Sequence, residues 1–321
     1  MRAIQVSENG GPEVLKSVEL PDPQIGPDQL LVDIDAIGIN FIDTYIRTGR
    51  YPQAVPYVPG SEGSGVVAEV GANVTEFAVG DRVAWSAGPG SYAQRVAINA
   101  AVAIPVPAGV DAQVAASALL QGMTAHYLTE SIYKPAPGES VLVHAGAGGV
   151  GLILTQLLAA RGVRVITTVS SDEKEALSRE AGAAEVLRYS DDLADHVRKL
   201  TDGIGVAAVY DGVGASTFEA SLASLRVRGT LALFGGASGP VPPFDLQRLG
   251  GAGSLIVTRP TLAHYTRDRA ELLWRAGDIF DAIAGGSLHI RIGATYPLAE
   301  AAQAHRDLEG RKTTGSIVLL P

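Results

Sequence analysis

The stretch VLVHAGAGGVGLILTQ, residues 141–156, passes from an apolar run through a cluster of glycines into a second apolar run. Gly146, Gly148 and Gly151 satisfy the spacing GxGxxG between a strand-like and a helix-like segment. In that setting the first glycine permits a tight turn, the second lets backbone approach a pyrophosphate, and the third lets helix and strand pack closely. The helix N-terminus adds free N–H groups and the positive end of its dipole. Gly146, Gly148, Gly149, Val150 and Gly151 are therefore the expected cradle for a dinucleotide cofactor. The bare motif also occurs at structural strand-to-helix turns, so the flanking pattern has to decide.

That pattern is alternation. After strand VLVHAG come helix GVGLILTQLLAARG, strand VRVITTV, helix SDEKEALSREAG, strand EVLRY, helix DLADHVRKL, strand VAAVYDG, helix STFEASLASLRVRG and strand TLALFGG. Continuous apolar strands separated by amphipathic helices predict a parallel sheet covered on both faces, a doubly wound α/β domain. The first hundred residues read differently. LLVDIDAIGI, GSGVVAEVG, GDRVAW and YAQRVAI are short strands between Gly and Pro turns, which predicts a compact β-rich unit. Residues 111–130 read as a helix with Asp111 at its N-cap, and a second helix is expected around residues 270–284. The closing strand, TGSIVLLP, has no partner in the alternating unit and is expected to return to the N-terminal one.

The 321 residues carry 46% hydrophobic side chains, enough for two cores. No apolar run reaches the roughly 18 to 20 residues of a membrane span, and MRAIQVSENGG lacks a secretory core, so a cytoplasmic location is expected. Cysteine is absent, which excludes disulfides, iron–sulfur clusters, thiolate zinc sites and cysteine nucleophiles together. The net charge of −9 comes without a basic cluster, which makes a nucleic-acid partner an unlikely expectation.

Cofactor choice turns on the end of the second strand of the alternating unit. NAD-binding units place a carboxylate there, about 20 residues past the loop, against the ribose hydroxyls. Here the strand ends TTVSS; Asp172 and Glu173 come later, as first-turn helix residues, and Lys174 shares that turn. NADPH is favoured over NADH. Lys174 then has two readings, a 2′-phosphate ligand or part of a solvated helix face.

Together NGGPEVL (9–15), AIGINFIDTYIRTGRYP (36–52), VPGSEGSGVV (58–67), GDRV (80–83), HAGAGGVGL (144–152), VYDGVG (209–214) and VTRP (257–260) resemble the zinc-independent quinone oxidoreductases of the medium-chain dehydrogenase/reductase superfamily, nearly end to end. The resemblance implies a GroES-like β-rich catalytic domain over residues 1–122, a Rossmann NADPH-binding domain over 123–264, and a segment over 265–321 that rejoins the catalytic domain. It implies Lys174, Tyr189 and Arg311 around the 2′-phosphate, with Ser170 nearby; their charges and hydroxyls suit that anion. Zinc alcohol dehydrogenases share this fold, with a cysteine at the position of Asn40 and a histidine at that of Ser61. Neither is present here, and the six histidines do not cluster at ligand spacing, so no metal is expected.

A quinone already accepts hydride readily, so positioning the nicotinamide against it is the main requirement. By resemblance Asn40 and Tyr45 meet the developing charge on the quinone oxygen, Tyr51 lines the pocket and Thr124 contacts the nicotinamide side. Phe234 and Gly235, at the end of a Rossmann strand, help seat the nicotinamide. Arg259 either closes the pocket or makes a structural ion pair. His144 is expected as a hydrogen-bonded core residue, and the role of His126 is open. Many bacterial relatives carry Lys where this chain has Gln121, so no role passes to that position. Residues 253–258, GSLIVT, read as an edge strand that a homodimer would cover. Two alternatives to quinone stand: NADPH-dependent reduction of an enone, alkenal or enoyl-thioester double bond, and, of another class, AU-rich RNA binding or a crystallin-like role without turnover.

Overall fold

The computed structural model describes all 321 residues, which divide into two compact units: Met1–Met123 with Thr266–Pro321, and Thr124–Tyr265. The first stretch carries β1 (Arg2–Gln5), β2 (Lys16–Glu19), β3 (Gln29–Ile39), α1 (Phe41–Arg47), β4 (Glu62–Val70), β5 (Arg82–Trp85), β6 (Arg95–Asn99), β7 (Ile104–Pro105) and α2 (Ala112–Tyr127). The alternating stretch follows: β8 (Ser140–Val143), α3 (Gly149–Ala159), β9 (Arg164–Val169), α4 (Asp172–Glu180), β10 (Glu185–Arg188), α5 (Leu193–Leu200), β11 (Val206–Asp211), α6 (Phe218–Ser224), β12 (Leu225–Leu233), α7 (Gln247–Gly251) and β13 (Ile256–Thr258). The chain ends with α8 (Arg269–Ala284), β14 (Ile292–Pro297), α9 (Ala301–Glu309) and β15 (Ser316–Leu320). No helix is long and apolar enough to cross a membrane.

The GroES-like unit is built on a seven-stranded sheet ordered β14-β15-β3-β4-β5-β7, with β6 also paired to β3. Strand β15 lies antiparallel to β3, Ile317 opposite Ile39 and Leu319 opposite Ile37. Trp85, Tyr92, Ile4, Leu30, Ile37 and Ile98 form the centre of its core, all essentially without solvent contact.

The Rossmann unit is a parallel sheet ordered β10-β9-β8-β11-β12-β13. Order reverses between β8 and β11, the topological switch point where open α/β sheets bind ligands at the strands' carboxyl ends. Strand β13 is an edge of this sheet, with Ile256 about half exposed.

Two element boundaries differ from the sequence reading. The helix expected through residues 216–229 stops at Ser224, and Leu225 opens β12 by pairing with Val206. Leu225 is buried while Val227, two residues on, is exposed, where the register with β11 shifts between Val206 and Ala208; the apolar content of SLASLRVRG disguises this strand start as a helix face. The helix expected over residues 111–130 is α-helical only to Tyr127. It then widens into a π turn, Leu128–Ile132, closed by Tyr133 N–H donating to Leu128 O. Asp111 caps it as expected, its Oδ1 accepting from Gln113 N at 2.8 Å.

Candidate active site

In the Rossmann unit β8 delivers the chain through residues 144–148 into α3, whose N-cap is Gly148. The first of the three glycines does different work from that expected. The left-handed residue of the turn is Ala145, with φ 54°, rather than Gly146. A Cβ at Gly146 would lie 2.6 Å from Thr167 Cβ and 2.8 Å from Ser178 Oγ, so this glycine is required by packing against β9 and α4. A Cβ at Gly151 would meet Ala145 O at 2.2 Å, which fixes close approach of helix and loop. At Gly148 a Cβ would meet only Ala145 O, at 3.3 Å, the least crowded of the three. The first N–H groups of α3, at Gly149, Val150 and Gly151, have no preceding turn to bond, and the site fits an anionic pyrophosphate.

Strand β9 ends at Val169, followed by Ser170 and by Ser171, the N-cap of α4, whose Oγ accepts from Lys174 N at 3.3 Å. Lys174 Nζ turns back to Ser170 Oγ, also at 3.3 Å. The two nearby acids, Asp172 and Glu175, are both bound by Arg188, at 2.6 and 2.8 Å. Lys174 and Ser170 therefore form a cationic corner beside two carboxylates that Arg188 already engages, a fit for a phosphate ester. The Tyr189 hydroxyl accepts from Ala145 N at 2.9 Å and the ring stacks on His144. Arg311 belongs to the other unit, on the turn after α9 with φ 56°.

The carboxyl ends of β11 and β12 supply the rest of this face. Phe234 N donates to Asp211 O, and a Cβ at Gly235 would lie 2.4 Å from Gly212 O, so only glycine fits there. Asp211 is fully buried and accepts from Val213 N, Gly214 N, Thr217 Oγ1 and Ser221 Oγ at 2.7–3.0 Å. Because Ser221 donates to Asp211, its oxygen accepts from His144 Nε2, and His144 Nδ1 in turn accepts from Thr168. Burial pushes the pKa of His144 down, with Asp211 opposing; it is a neutral core residue. His126 is buried on α2, as is Thr124, and Arg259 is exposed, donating to Pro260 O at 3.2 Å.

In the GroES-like unit Asn40 ends β3 and caps α1, with 4% exposure. Its Nδ2 donates to Glu62 Oε2 at 2.6 Å and its Oδ1 accepts from Gln121 Nε2 at 3.3 Å. One and three turns further into α1 and its exit lie Tyr45 and Tyr51, edge to face with centroids 5.5 Å apart. Tyr51 N donates to Tyr45 O, and the Arg50 guanidinium lies 4.4 Å over the Tyr45 ring. The structure thus brings Asn40 together with Gln121 and Tyr45 with Tyr51.

Sequence reasoning missed two buried acids beside Asn40. Asp43 Oδ2 accepts from Asn40 N at 2.8 Å and from Tyr92 OH at 3.2 Å. Tyr92 meets His305 Nε2, whose ring reaches Arg47 through Nδ1, both at 2.9 Å. Arg47 can only donate, so His305 carries its proton on Nε2 and the chain of donors runs from Arg47 to Asp43. Burial pushes Asp43 up to about 7, and burial with Arg47 pushes His305 down to about 3. Burial likewise pushes Glu62 up to about 8, against the hydrogen bonds from Leu120 N and Asn40. The spacing N-x-x-D of a capping box announces Asp43; the acid in GSEGSG, between glycines of a buried strand, was the signal for Glu62.

Family models for an alcohol dehydrogenase GroES-like domain and a zinc-binding dehydrogenase domain match residues 26–108 and 149–272. A quinone oxidoreductase of Pseudomonas aeruginosa is 46% identical, covering 100% of this chain and 99% of its own. A 2-haloacrylate reductase of a Burkholderia species is 43% identical over 99% of this chain and 98% of its own. Among solved structures, a mycobacterial protein complexed with NADPH is 57% identical and superposes with a TM-score of 0.98 over 100% of both chains. The zinc in the second family description finds no ligand set here: cysteine is absent, and no three His, Asp or Glu side chains converge at metal-binding distance. The chain belongs to the quinone oxidoreductase family of the medium-chain dehydrogenase/reductase superfamily.

Proposed function

We propose that the protein reduces a quinone with NADPH, using neutral hydrogen-bond donors where zinc relatives use a metal. The observation that carries this is Asn40: a buried amide, fixed by Glu62 and Gln121, at the position where zinc-dependent relatives have a cysteine. When bound, NADPH supplies a hydride, and with one proton the quinone becomes the hydroquinone. Gly148 and the N–H groups of Gly149, Val150 and Gly151 hold the pyrophosphate; Ser170, Lys174, Tyr189 and Arg311 hold the 2′-phosphate. Thr124, Phe234 and Gly235 orient the nicotinamide, and Arg259 covers it. Asn40 and Tyr45 offer donors to the quinone oxygen, and Tyr51, edge to face with Tyr45, confines that phenol.

A second reading is reduction of an activated carbon–carbon double bond, favoured by the 2-haloacrylate reductase relative. Anaerobic NADPH oxidation with 1,4-benzoquinone and with a simple enone at matched concentrations separates the two. Quinone turnover well above the uncatalysed rate, with little from the enone, supports the first; turnover with the enone alone transfers the assignment to the second. The unpaired edge of β13, with Ile256 exposed, supports a homodimer through this strand in a cytoplasmic protein; a monomeric mass by light scattering rules that dimer out.

A further inference from the structure

Glu62 is completely buried and no cation pairs with it. Its Oε1 accepts from Leu120 N at 2.7 Å and its Oε2 from Asn40 Nδ2 at 2.6 Å. Gly38 on β3 makes the room: a Cβ there would lie 2.7 Å from Oε2. Behind Asn40 the chain continues, with Gln121 Nε2 donating to Asn40 Oδ1 at 3.3 Å and Ser316 Oγ donating to Gln121 Oε1 at 2.8 Å. Every donor in this series points toward the carboxylate. An amide has two hydrogens on Nδ2, so after one goes to Glu62 the other has a direction fixed by the chain.

We propose that Glu62 is a positioning residue for Asn40: its carboxylate selects the amide orientation that aims the second Nδ2 hydrogen at the acceptor's oxygen. The proposal rests on the role given to Asn40 above. A proton on Glu62 Oε2 must be donated, and the group in reach is the Asn40 side chain, which has to present Oδ1 instead of Nδ2. Gln121 then turns as well, and the whole series reverses. The burial that raises Glu62 to about 8 places that reversal near neutral pH. Of the groups facing Glu62, only Asp43, from α1, is ionisable, and its like charge raises Glu62 further. From β3 (Gly38) and α2 (Leu119, Leu120, Gln121) the neighbours are neutral, as is Ser316 on β15 behind them.

Glu62→Gln puts an amide Nε2 against Asn40 Nδ2, so Asn40 is held reversed at every pH. The test measures hydride transfer to 1,4-naphthoquinone in single turnovers from pH 6.5 to 9.5, with NADPH affinity measured alongside, in the wild type, Glu62→Gln, Asn40→Ala and the double variant. The expected result is a wild-type rate that rises through pH 8, and a Glu62→Gln rate about tenfold lower at pH 9 with no inflection. NADPH affinity stays unchanged, and Glu62→Gln has no further effect once Asn40 is Ala. A Glu62→Gln enzyme with the wild-type rate and profile overturns the proposal, as does a full additional loss in the Asn40→Ala background. A wild-type rate in Asn40→Ala instead removes the role of Asn40 itself and the positioning role with it. Should Glu62→Gln fail to fold, infrared spectroscopy decides. Two buried protonated-carboxyl bands are expected, that of Asp43 lost near pH 7 and that of Glu62 near pH 8; the second, which Asp43→Asn retains, must vanish over the pH range in which the rate rises, and its loss at constant rate overturns the proposal.

Discussion

Asp211 and Glu62 are both buried acids at the ends or starts of core strands, yet they are satisfied in opposite ways. All four donors to the Asp211 carboxylate lie within ten residues after it, on the turn from β11 into α6 and on α6 itself. The donors to Glu62 stand 22 residues before it and 58 after it, on α1 and α2. An acid whose donors are local is a structural clasp formed with its own loop. One whose donors are distant couples elements, and its protonation state is felt by all of them.

The comparison breaks first at Asp211. Replacement by Ala leaves two buried N–H groups and two hydroxyls without their acceptor and frees Ser221 from the bond that orients His144. Unmet buried donors cost about 1–3 kcal/mol each, so Asp211→Ala should lose at least about 3 kcal/mol of unfolding free energy, far more than most point changes. Chemical denaturation followed by circular dichroism checks it. A variant within about 1 kcal/mol of the wild type would mean that the clasp is dispensable.

Glu62 sharpens the contrast, because its effect depends on pH and has the opposite sign. Its folded-state value, about 8, lies above the ordinary 4.5. The folded protein therefore holds this proton more tightly than the unfolded chain, and the stability so contributed is complete below pH 4.5 and lost as pH rises through 8. Gln has no proton to lose. Glu62→Gln should melt ~3 °C or more above the wild type at pH 9, with the gap narrowing as pH falls below 8 and smallest below pH 4.5. Asp43, raised from 3.8 to about 7, is ionised in both proteins at pH 9, and relief of its repulsion by Glu62 in the variant widens the gap in the same direction. Equal melting temperatures at pH 9 would show that the Glu62 anion is not strained by burial. The ionised form that orients Asn40 is thus the form the fold tolerates less.

The same distinction explains what the sequence disclosed. The alternating segments, the glycine loop and the capping residues Asp111 and Ser171 depend on neighbours within a few residues, so their periodicity and spacing are visible in one dimension. The β12 boundary was hidden because Leu225 pairs with Val206, a contact across the sheet. Tyr45, Tyr51 and Asn40 came from family resemblance, whereas the bonds that hold Asn40 come from Glu62 and Gln121. Arg47 and His305, 258 residues apart, carry no joint signal at all. The turn at Ala145 teaches the converse: the motif lies between strand and helix as its spacing predicts, while one of its glycines serves packing against Thr167 and Ser178 rather than the turn.

Lys174 lies at the far end of the scale, a partly exposed charge whose Nζ donates to Ser170 Oγ, and whose replacement leaves α4 capped because the Ser171 bond uses backbone N–H. Its stability effect should be negligible. Facing a 2′-phosphate across solvent, its charge-assisted bond is worth about 1 kcal/mol, which is about fivefold in affinity. Lys174→Ala should therefore raise the KM for NADPH about fivefold at low salt, leave that for NADH unchanged, and show a smaller ratio at high ionic strength, where screening has already removed part of the attraction. Equal increases for both cofactors would assign Lys174 to the helix rather than to the phosphate. The Lys174 effect depends on salt and leaves the fold intact, whereas that of Glu62 depends on pH, because a charge at the surface is screened by ions while burial raises the proton affinity of Glu62.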